Sequence, residues 1–379
     1  MVQRTKQKQR NKQFAAAEQI LLSIIVVVPI LVAFYFGVPA RSERQKDDAL
    51  AALRHVSAVS GVLVAARAGS MMYRIDYNVS GEAGASVEPQ SSLLRKGEGV
   101  EKLPVARKEG YRFTGWYLGA PDDEAAAFVD NSCLDLIPKT EPVVLYARFE
   151  PKPTGVDRSV RGLPVFMYHR FYDPAAGDKK FDGNDLYIQD FEDQLRYLTE
   201  NDFYFPDWDE VESFVKGDML LPEKSVVLTS DDGDESVFRL AIPLVEKYKV
   251  KMTFFMIGKD TSAEAIAPYR SEHVIFHSHT YGMHRQEAPV WEGVIRTMPA
   301  ASIIADTERM YEMLGTKQVV CYPYGHTNDR VIGILQDEGV EMAFTTVYDR
   351  CYPMMNPLAL PRIRIFDGND LNWFIDSVS

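Results

Sequence analysis

A chain of 379 residues has room for one large domain plus an accessory module, and 46% apolar content with a mean hydropathy of -0.20 describes a folded, largely water-soluble body. Its formal net charge of -12 excludes a general nucleic-acid binder, because there is no basic footprint to meet a phosphate backbone. Three widely spaced cysteines, Cys133, Cys321 and Cys351, form no Cys-x-x-Cys and so indicate neither a disulfide framework nor a cysteine zinc site; a single bridge between Cys321 and Cys351 stays open.

At the amino end, Arg4, Lys6, Lys8, Arg10 and Lys12 precede an uncharged apolar stretch of 19 residues from Ile20 to Val38, long enough to span a bilayer as a helix. The basic excess predicts a cytoplasmic tail over 1–19, a transmembrane signal anchor over 20–38 and an exported remainder, which makes a single-pass protein of the cell membrane with an extracytoplasmic body. A cleaved signal peptide ending near Val38-Pro39-Ala40 competes with this reading, but the apolar run exceeds the roughly 7 to 15 residues usual for such peptides. Without the tail, the body carries a formal charge near -16. Residues 39–70 are Ala-rich with Leu and Val at mixed spacing and predict a helical stalk, where His55 has no partner nearby in sequence.

Between 71 and 151 short alternating segments are broken by Gly and Pro, which predicts a small β-rich module. Tyr73 to Val79, Tyr111 to Tyr117 and Val143 to Phe149 alternate. Lys96-Gly97-Glu98, Leu103-Pro104, Gly110 to Tyr117 and Leu145 to Phe149 resemble, in order and spacing, an internalin B-type repeat. The resemblance implies a β-grasp-like spacer or adhesion module without chemistry. Trp116 and Tyr117 read as core and strand-pairing residues ahead of a sugar-binding platform.

Lys152-Pro153-Thr154-Gly155 opens a linker over 152–162, and from 163 to 379 strand-like runs alternate with helical patterns. Phe191, Leu195 and Leu198 fit one face of a helix. Strands are expected at Val165 to Tyr168, Val226 to Thr229, Met252 to Ile257, Val274 to Phe276, Val319 to Tyr322, Met342 to Thr346 and Ile363 to Ile365. That alternation predicts an α/β fold, a distorted (β/α) barrel in which strand carboxyl ends share one rim.

Several of these strands end in polar residues. Asp231-Asp232-Gly233 follows one apolar run, and a plain strand-ending turn is the competing reading for it. Adjacent residues on a strand face opposite sides, so the two carboxylates need not share one task. His279 and His284 lie five residues apart across a glycine-containing turn. Two imidazoles and a carboxylate make a set with open coordination positions, suited to zinc or a similar divalent ion; helix capping or core hydrogen bonding is the alternative for the histidines.

At this point the chain resembles the polysaccharide deacetylase family, carbohydrate esterase family 4, from about Leu163 to Ile365. The residues that carry the likeness are Pro164 to His169, Thr229-Ser230-Asp231-Asp232-Gly233, His279-Thr280 with His284, and Tyr322-Pro323-Tyr324-Gly325. The five-residue histidine spacing is closer to the branch that acts on poly-N-acetylglucosamine than to the peptidoglycan and chitin branches. The resemblance implies Asp231 as general base, Asp232, His279 and His284 as ligands of a divalent metal, zinc first, and the Tyr324 backbone N–H as an oxyanion donor. Tyr324 and Tyr281 are candidates for stacking on sugar rings.

Two departures matter. Where many relatives carry an arginine before the Pro-Tyr motif, this chain has Val319-Val320-Cys321, and Arg362 is the candidate to orient the base from another strand end. The late Leu-x-His of the family is missing, since no histidine follows His326; His169, His326 or the protonated Asp231 itself is left to protonate the leaving amine. His277 shares the strand face of His279 and reads as packing before substrate contact, His273 as solvent-exposed, and Trp373 as core. The resemblance implies hydrolysis of N-acetyl groups on an amino-sugar polysaccharide, an exopolysaccharide or peptidoglycan. A catalytically weakened glycan- or wall-binding surface protein is the alternative that the missing histidine and Cys321 motivate. A metallopeptidase is disfavoured by the lack of His-Glu-x-x-His.

Overall fold

The computed structural model describes residues 72–95, 100, 102–120, 126–129, 143–288 and 291–379. The expected tail, spanning segment and stalk, with His55, lie outside the described residues, as do Cys133 and Lys96-Gly97-Glu98. Among the described residues no helix is long and apolar enough to cross a membrane.

The alternating segments of the small module form strands β1 (Met72–Asn78), β2 (Ser91–Arg95), β3 (Tyr111–Leu118), β4 (Ala127–Val129) and β5 (Val143–Pro151) in one sheet of order β2-β1-β5-β3-β4. β1 and β5 run parallel, and β3 runs antiparallel to β5. Ile75, Tyr77, Trp116, Leu145 and Ala147 are buried in one cluster, as strand alternation requires. The indole N–H of Trp116 donates to the Pro104 carbonyl at 2.7 Å, which removes the cost of burying it. Met219, from the chain beyond this sheet, is buried in the same cluster. Around it the Phe113 N–H donates to Asp218 at 2.7 Å and the Leu220 N–H to Phe113 at 3.0 Å. Lys152 pairs with Asp218 at 2.6 Å, and Asp157 with Arg112 at 2.7 Å, so the stretch between module and barrel is pinned at both ends.

Beyond it come β6 (Val165–Tyr168), β7 (Arg170–Tyr172), β8 (Asp185–Tyr187), β9 (Val227–Ser230), β10 (Met252–Met256), β11 (Val274–Ser278), β12 (Gln286–Glu287), β13 (Glu292–Gly293), β14 (Val319–Cys321), β15 (Met342–Phe344) and β16 (Ile363–Arg364). Seven of these form a parallel sheet of order β15-β14-β11-β10-β9-β6-β16, while β7 with β8 and β12 with β13 make two small ribbons. Each expected strand is found within a residue or two of its place. The sheet is a curled half-barrel, not a ring of continuous strands. Residues 360–364 reach both of its edges: Leu360 exchanges backbone bonds with Ala343 and Thr345, and Ile363-Arg364 pair with Phe166-Met167. Pro361 has no N–H to give, so this stretch cannot extend the β15 ladder as a regular strand.

The strands alternate strictly. Val165, Val227, Phe255, Cys321 and Phe344 share one core cluster with Trp208, Val211, Phe214 and Val215 of helix α2 (Trp208–Val215), after α1 (Ile188–Glu200). Phe166, Leu228, Phe254 and Phe276 belong to a second cluster with residues of α1 and of α3 (Ile242–Tyr248). Val320 and Ala343 pack with Ile303 of α4 (Ala300–Leu314) and with Val331 and Leu335 of α5 (Asp329–Asp337). Trp373 lies on α6 (Leu371–Val378) and packs against the second cluster, the core role expected of it.

Candidate active site

Val227, Thr229 and Asp231 have the same parity along β9, so Asp231 continues the inner face of the curled sheet where that strand stops. The next two residues leave the extended region: Asp232 and Gly233 both sit at a φ of 72°. A non-glycine residue rarely adopts that conformation, and such strain concentrates at functional sites. It turns the second carboxylate away from the first. Thr280 between the two histidines (φ 67°) and Tyr324 of Tyr-Pro-Tyr-Gly (φ 59°) are held in the same way. At Gly325 an added Cβ would collide with the Thr346 backbone, so glycine is required there.

The structure brings Asp232, His279 and His284 together. Asp232 Oδ1 lies 3.4 Å from His279 Nε2 and 3.2 Å from His284 Nε2. Ligand atoms about 2.0–2.2 Å from a tetrahedral zinc ion would lie about 3.3–3.5 Å from one another. Asp232 Oδ1 is buried without a hydrogen-bond partner, and His279 Nδ1–H donates to the Cys321 carbonyl at 2.9 Å, leaving Nε2 free to ligate. The set fits a divalent cation. A second grouping, Asp231 with His279 and Cys321, does not, because both carboxylate oxygens of Asp231 are already taken.

Those oxygens belong to Arg362. Its Nη1 and Nη2 donate to Asp231 Oδ1 and Oδ2, each at 2.7 Å, while Nε donates to the Thr345 carbonyl at 3.1 Å and Nη1 to Thr229 Oγ1 at 3.2 Å. Both partners are buried. The Cys321 thiol lies in the same cluster, 3.2 Å from Asp231 Oδ2 and 2.9 Å from Arg362 Nη2. Cys321 and Cys351 are both free and buried, so the bridge left open by their sequence is not formed.

The electrostatics follow from burial set against these partners. Burial opposes ionisation of Asp231, but the Arg362 charge and its two hydrogen bonds outweigh that and hold the carboxyl well below the usual carboxylate range. For Asp232, burial is outweighed by His279 and the pKa is again lowered. Burial works against a charged His279 as well, yet Cys321, Asp232 and Asp231 raise its pKa well above the ordinary value. Since burial keeps the Cys321 thiol neutral, it is the carboxylates that draw positive charge here, a charge that a metal ion would replace. His284 is pushed toward the neutral ring by burial and by His279.

The remaining candidates divide. Tyr324 places its ring 4.5 Å from that of His284, and the His326 ring lies 6.0 Å from Tyr324. His326 Nδ1 accepts the Gly293 N–H at 2.8 Å, which puts its own proton on Nε2. His169 follows β6; burial lowers its pKa although Asp231 and Asp232 both oppose that, and its Nδ1 has no partner. Tyr281 is placed differently from expectation: the Arg309 guanidinium covers its ring at 3.8 Å, closing that face to a sugar. His277 lies below His279 against Trp208, 6.0 Å between rings, and is a packing residue. His273 is not the exposed residue expected, since only 16% of its side chain is accessible.

Asp306 on α4 was not legible in the sequence. Its Oδ1 accepts the Tyr281 N–H at 2.6 Å and its Oδ2 the Gly282 N–H at 2.8 Å, so it holds the turn that carries both histidines. No spacing rule links it to that turn.

Residues 219–343 match the polysaccharide deacetylase family. The chain carries a polysaccharide deacetylase domain. Poly-beta-1,6-N-acetyl-D-glucosamine N-deacetylase of Staphylococcus aureus is 26% identical over 194 residues, 47% of this chain and 66% of that protein. The structure of IcaB from Ammonifex degensii superposes with a TM-score of 0.51 at 26% identity, over 58% of this chain and 98% of that one. The Streptococcus pyogenes deacetylase PplD, solved with acetate, has a TM-score of 0.50 at 20% identity over 57% of this chain and 98% of its own, a likeness of fold. His169 and Arg362 both fall outside the deacetylase match of 219–343.

Proposed function

We propose that this deacetylase hydrolyses N-acetyl groups on a cell-surface amino-sugar polysaccharide, a poly-N-acetylglucosamine first, releasing acetate. The observation that carries this reading is the pairing of two unlike carboxylates: Asp232 faces two imidazole nitrogens, and Asp231 faces a buried arginine. A divalent ion, zinc first, held by Asp232, His279 and His284 would polarise the acetyl carbonyl and acidify the attacking water.

Asp231 then serves as the general base. Arg362 keeps it ionised and aimed, but also makes it a weak base, and a divalent ion held by Asp232, His279 and His284 would supply the acidity of the water that such a base needs. Having taken the proton, Asp231 can return it to the leaving nitrogen; His169 and His326 are the other groups placed to do so. Tyr324, held at a φ of 59° beside His284, is the candidate backbone donor to the oxyanion. The basic tail and the apolar run of 20–38 support a membrane-anchored protein with this site on the outer side.

The test is acetate release from β-1,6-linked N-acetylglucosamine oligomers by the full chain, followed by mass spectrometry of the glycan. Release is expected, lost with a chelator, restored by zinc and lost in Asp231→Asn. Zinc-replete protein that binds these oligomers and the other acetylated glycans tried without turning any of them over would support a weakened binding protein instead.

A further inference from the structure

Three stretches of chain meet beside the active site, and the middle one carries none of the candidate site residues. The first is the loop of His284, the second is residues 293–298, and the third runs from Tyr322-Pro323-Tyr324-Gly325 into the start of α5. Val294 N–H donates to the Arg285 carbonyl at 3.1 Å, and Arg285 N–H to the Met283 carbonyl at 2.8 Å, so the middle stretch is bonded to a turn closed across His284. On its other side Asn328 Nδ2 donates to the Arg296 carbonyl at 3.2 Å, and Arg330 Nη2 to the Arg296 and Met298 carbonyls at 3.1 and 2.8 Å. Met283, Val294, Ile295 and Tyr322 are buried together in one cluster with residues of α4 and α5. The middle stretch is a wedge, with the His284 loop on one side and the Tyr324 turn on the other.

His326 fastens the wedge to that turn. Its Nδ1 accepts the N–H of the buried Gly293 at 2.8 Å, while its own backbone N–H donates to the Pro323 carbonyl at 3.0 Å within the turn. A Cβ added at Gly293 would stand 3.3 Å from His326 Cβ, from His326 Nδ1 and from the Pro323 carbonyl oxygen, so the two stretches meet closely and the bare glycine lets them. Tyr324, two residues before His326, rests its ring 4.5 Å from the His284 ring. That contact completes a circuit from His284 to the wedge, through His326 to the turn, and back.

From this circuit we infer that His326 is a positioning residue: its ring accepts the Gly293 N–H, holds residues 293–298 in place, and so keeps His284 and the Tyr324 N–H at one spacing across the pocket. The inference rests on the deacetylase reading of that pocket and gives His326 a task other than protonating the leaving amine. An imidazolium carries an N–H on both nitrogens and cannot accept at Nδ1. A His326 acting as general acid would therefore have to give up the Gly293 bond before each transfer, leaving a buried N–H without an acceptor. Proton return then falls to Asp231 or His169.

Asparagine and glutamine separate the two tasks, because asparagine sets its Oδ1 near the place of Nδ1 and glutamine sets its amide near the place of Nε2. With the zinc-loaded full chain and β-1,6-linked N-acetylglucosamine oligomers, kcat is expected to fall about tenfold in His326→Gln with KM changed less than about twofold, and His326→Asn is expected to recover most of that loss. Equal losses in the two variants would mark a proton donor, and activity kept by glutamine but not by asparagine would mark a contact through Nε2. Either result overturns the inference, as does full activity in both. Hydrogen exchange over residues 292–298, read by mass spectrometry on the same three proteins, needs no turnover. Faster exchange in His326→Gln than in the native chain and His326→Asn upholds the clamp even if no glycan is ever deacetylated, and then only the deacetylase reading fails. Exchange alike in all three overturns it.

Discussion

Replacing Arg362 by methionine removes a charge while keeping most of the side-chain length, and it tests the centre of the site directly. The guanidinium makes two 2.7 Å bonds to Asp231 and two longer ones to Thr229 and Thr345, all out of contact with solvent. Breaking one partner out of a buried ion pair costs about 3–5 kcal/mol, because the other charge is left uncompensated. At about 2–4 °C per kcal/mol for a domain of this size, the melting temperature of Arg362→Met should fall by roughly 6–20 °C near neutral pH. The pH dependence gives the sharper reading. In the native protein the Asp231 pKa is depressed below its unfolded value, so its stabilisation is present above about pH 4 and is lost only as pH falls through the folded value. In the variant burial is opposed only by the pull of His279 and His169, so the pKa rises and stability should decline as pH climbs from about 4 toward neutral. The melting deficit should therefore shrink at acid pH, and Asp231→Asn/Arg362→Met should recover part of it. Scanning calorimetry of the three proteins between pH 4 and 8 decides the matter. An equal deficit at both ends, with no recovery in the double variant, would refute the account of Asp231 as a carboxylate held charged by one buried partner.

Asp306→Ala should loosen the turn that carries both histidines, weakening zinc affinity about 10- to 100-fold while leaving most activity at saturating zinc; a metal titration reads this, and unchanged affinity refutes it. His277 is buried and its pKa is lowered to about 3, so the unfolded chain binds a proton that the folded one refuses between pH 3 and 6.5. Stability contributed by the neutral ring is thus present above about 6.5 and lost as pH falls, and His277→Phe should flatten the stability curve in that window by up to about 1.4 kcal/mol per pH unit. Met219 is buried in the module core, so Met219→Ala should cost about 2–5 kcal/mol. Loss of activity and loss of Trp116 burial should then shift together in urea; a change confined to one transition would mean that module and barrel unfold separately.

The strands were legible because β-branched apolar runs stop abruptly at polar residues, and Asp231, Asp232, His279 and His284 stood out for the same reason. Arg362 was legible as a strand-end cation, though its partner had to be carried over from a resemblance. What the linear pattern could not supply was depth. His277 and His279 share a strand parity, yet one lies under the other against Trp208, and only the packed barrel separates packing from ligation. Tyr281 looked free because it adjoins the ligand motif, while its cover, Arg309, lies 28 residues further along on a different element. Asp306 and Met219 escaped for a related reason: each acts across a contact between distant segments, and neither carries a local signal that sets it apart from other helical acids or loop methionines.

The exchange at Cys321 shows how the site and the closure of the fold depend on each other. The family resemblance leads one to expect an arginine on the strand leading to Tyr-Pro-Tyr-Gly, close to the base along a regular element. Here a small thiol occupies that strand, fully buried between Asp231 and Arg362, and leaves the volume in which the guanidinium lies. The cation comes instead from residues 360–364, the irregular stretch that bonds to both edges of the half-barrel. Arg362 is itself held by the Thr345 carbonyl at the end of β15 and by Thr229 on β9, so its fork spans the gap that the sheet leaves open. The ion pair that keeps Asp231 charged is therefore also a bridge across the barrel's seam. Whatever loosens that seam lets the base take up a proton, and whatever protonates the base removes a tie across the seam.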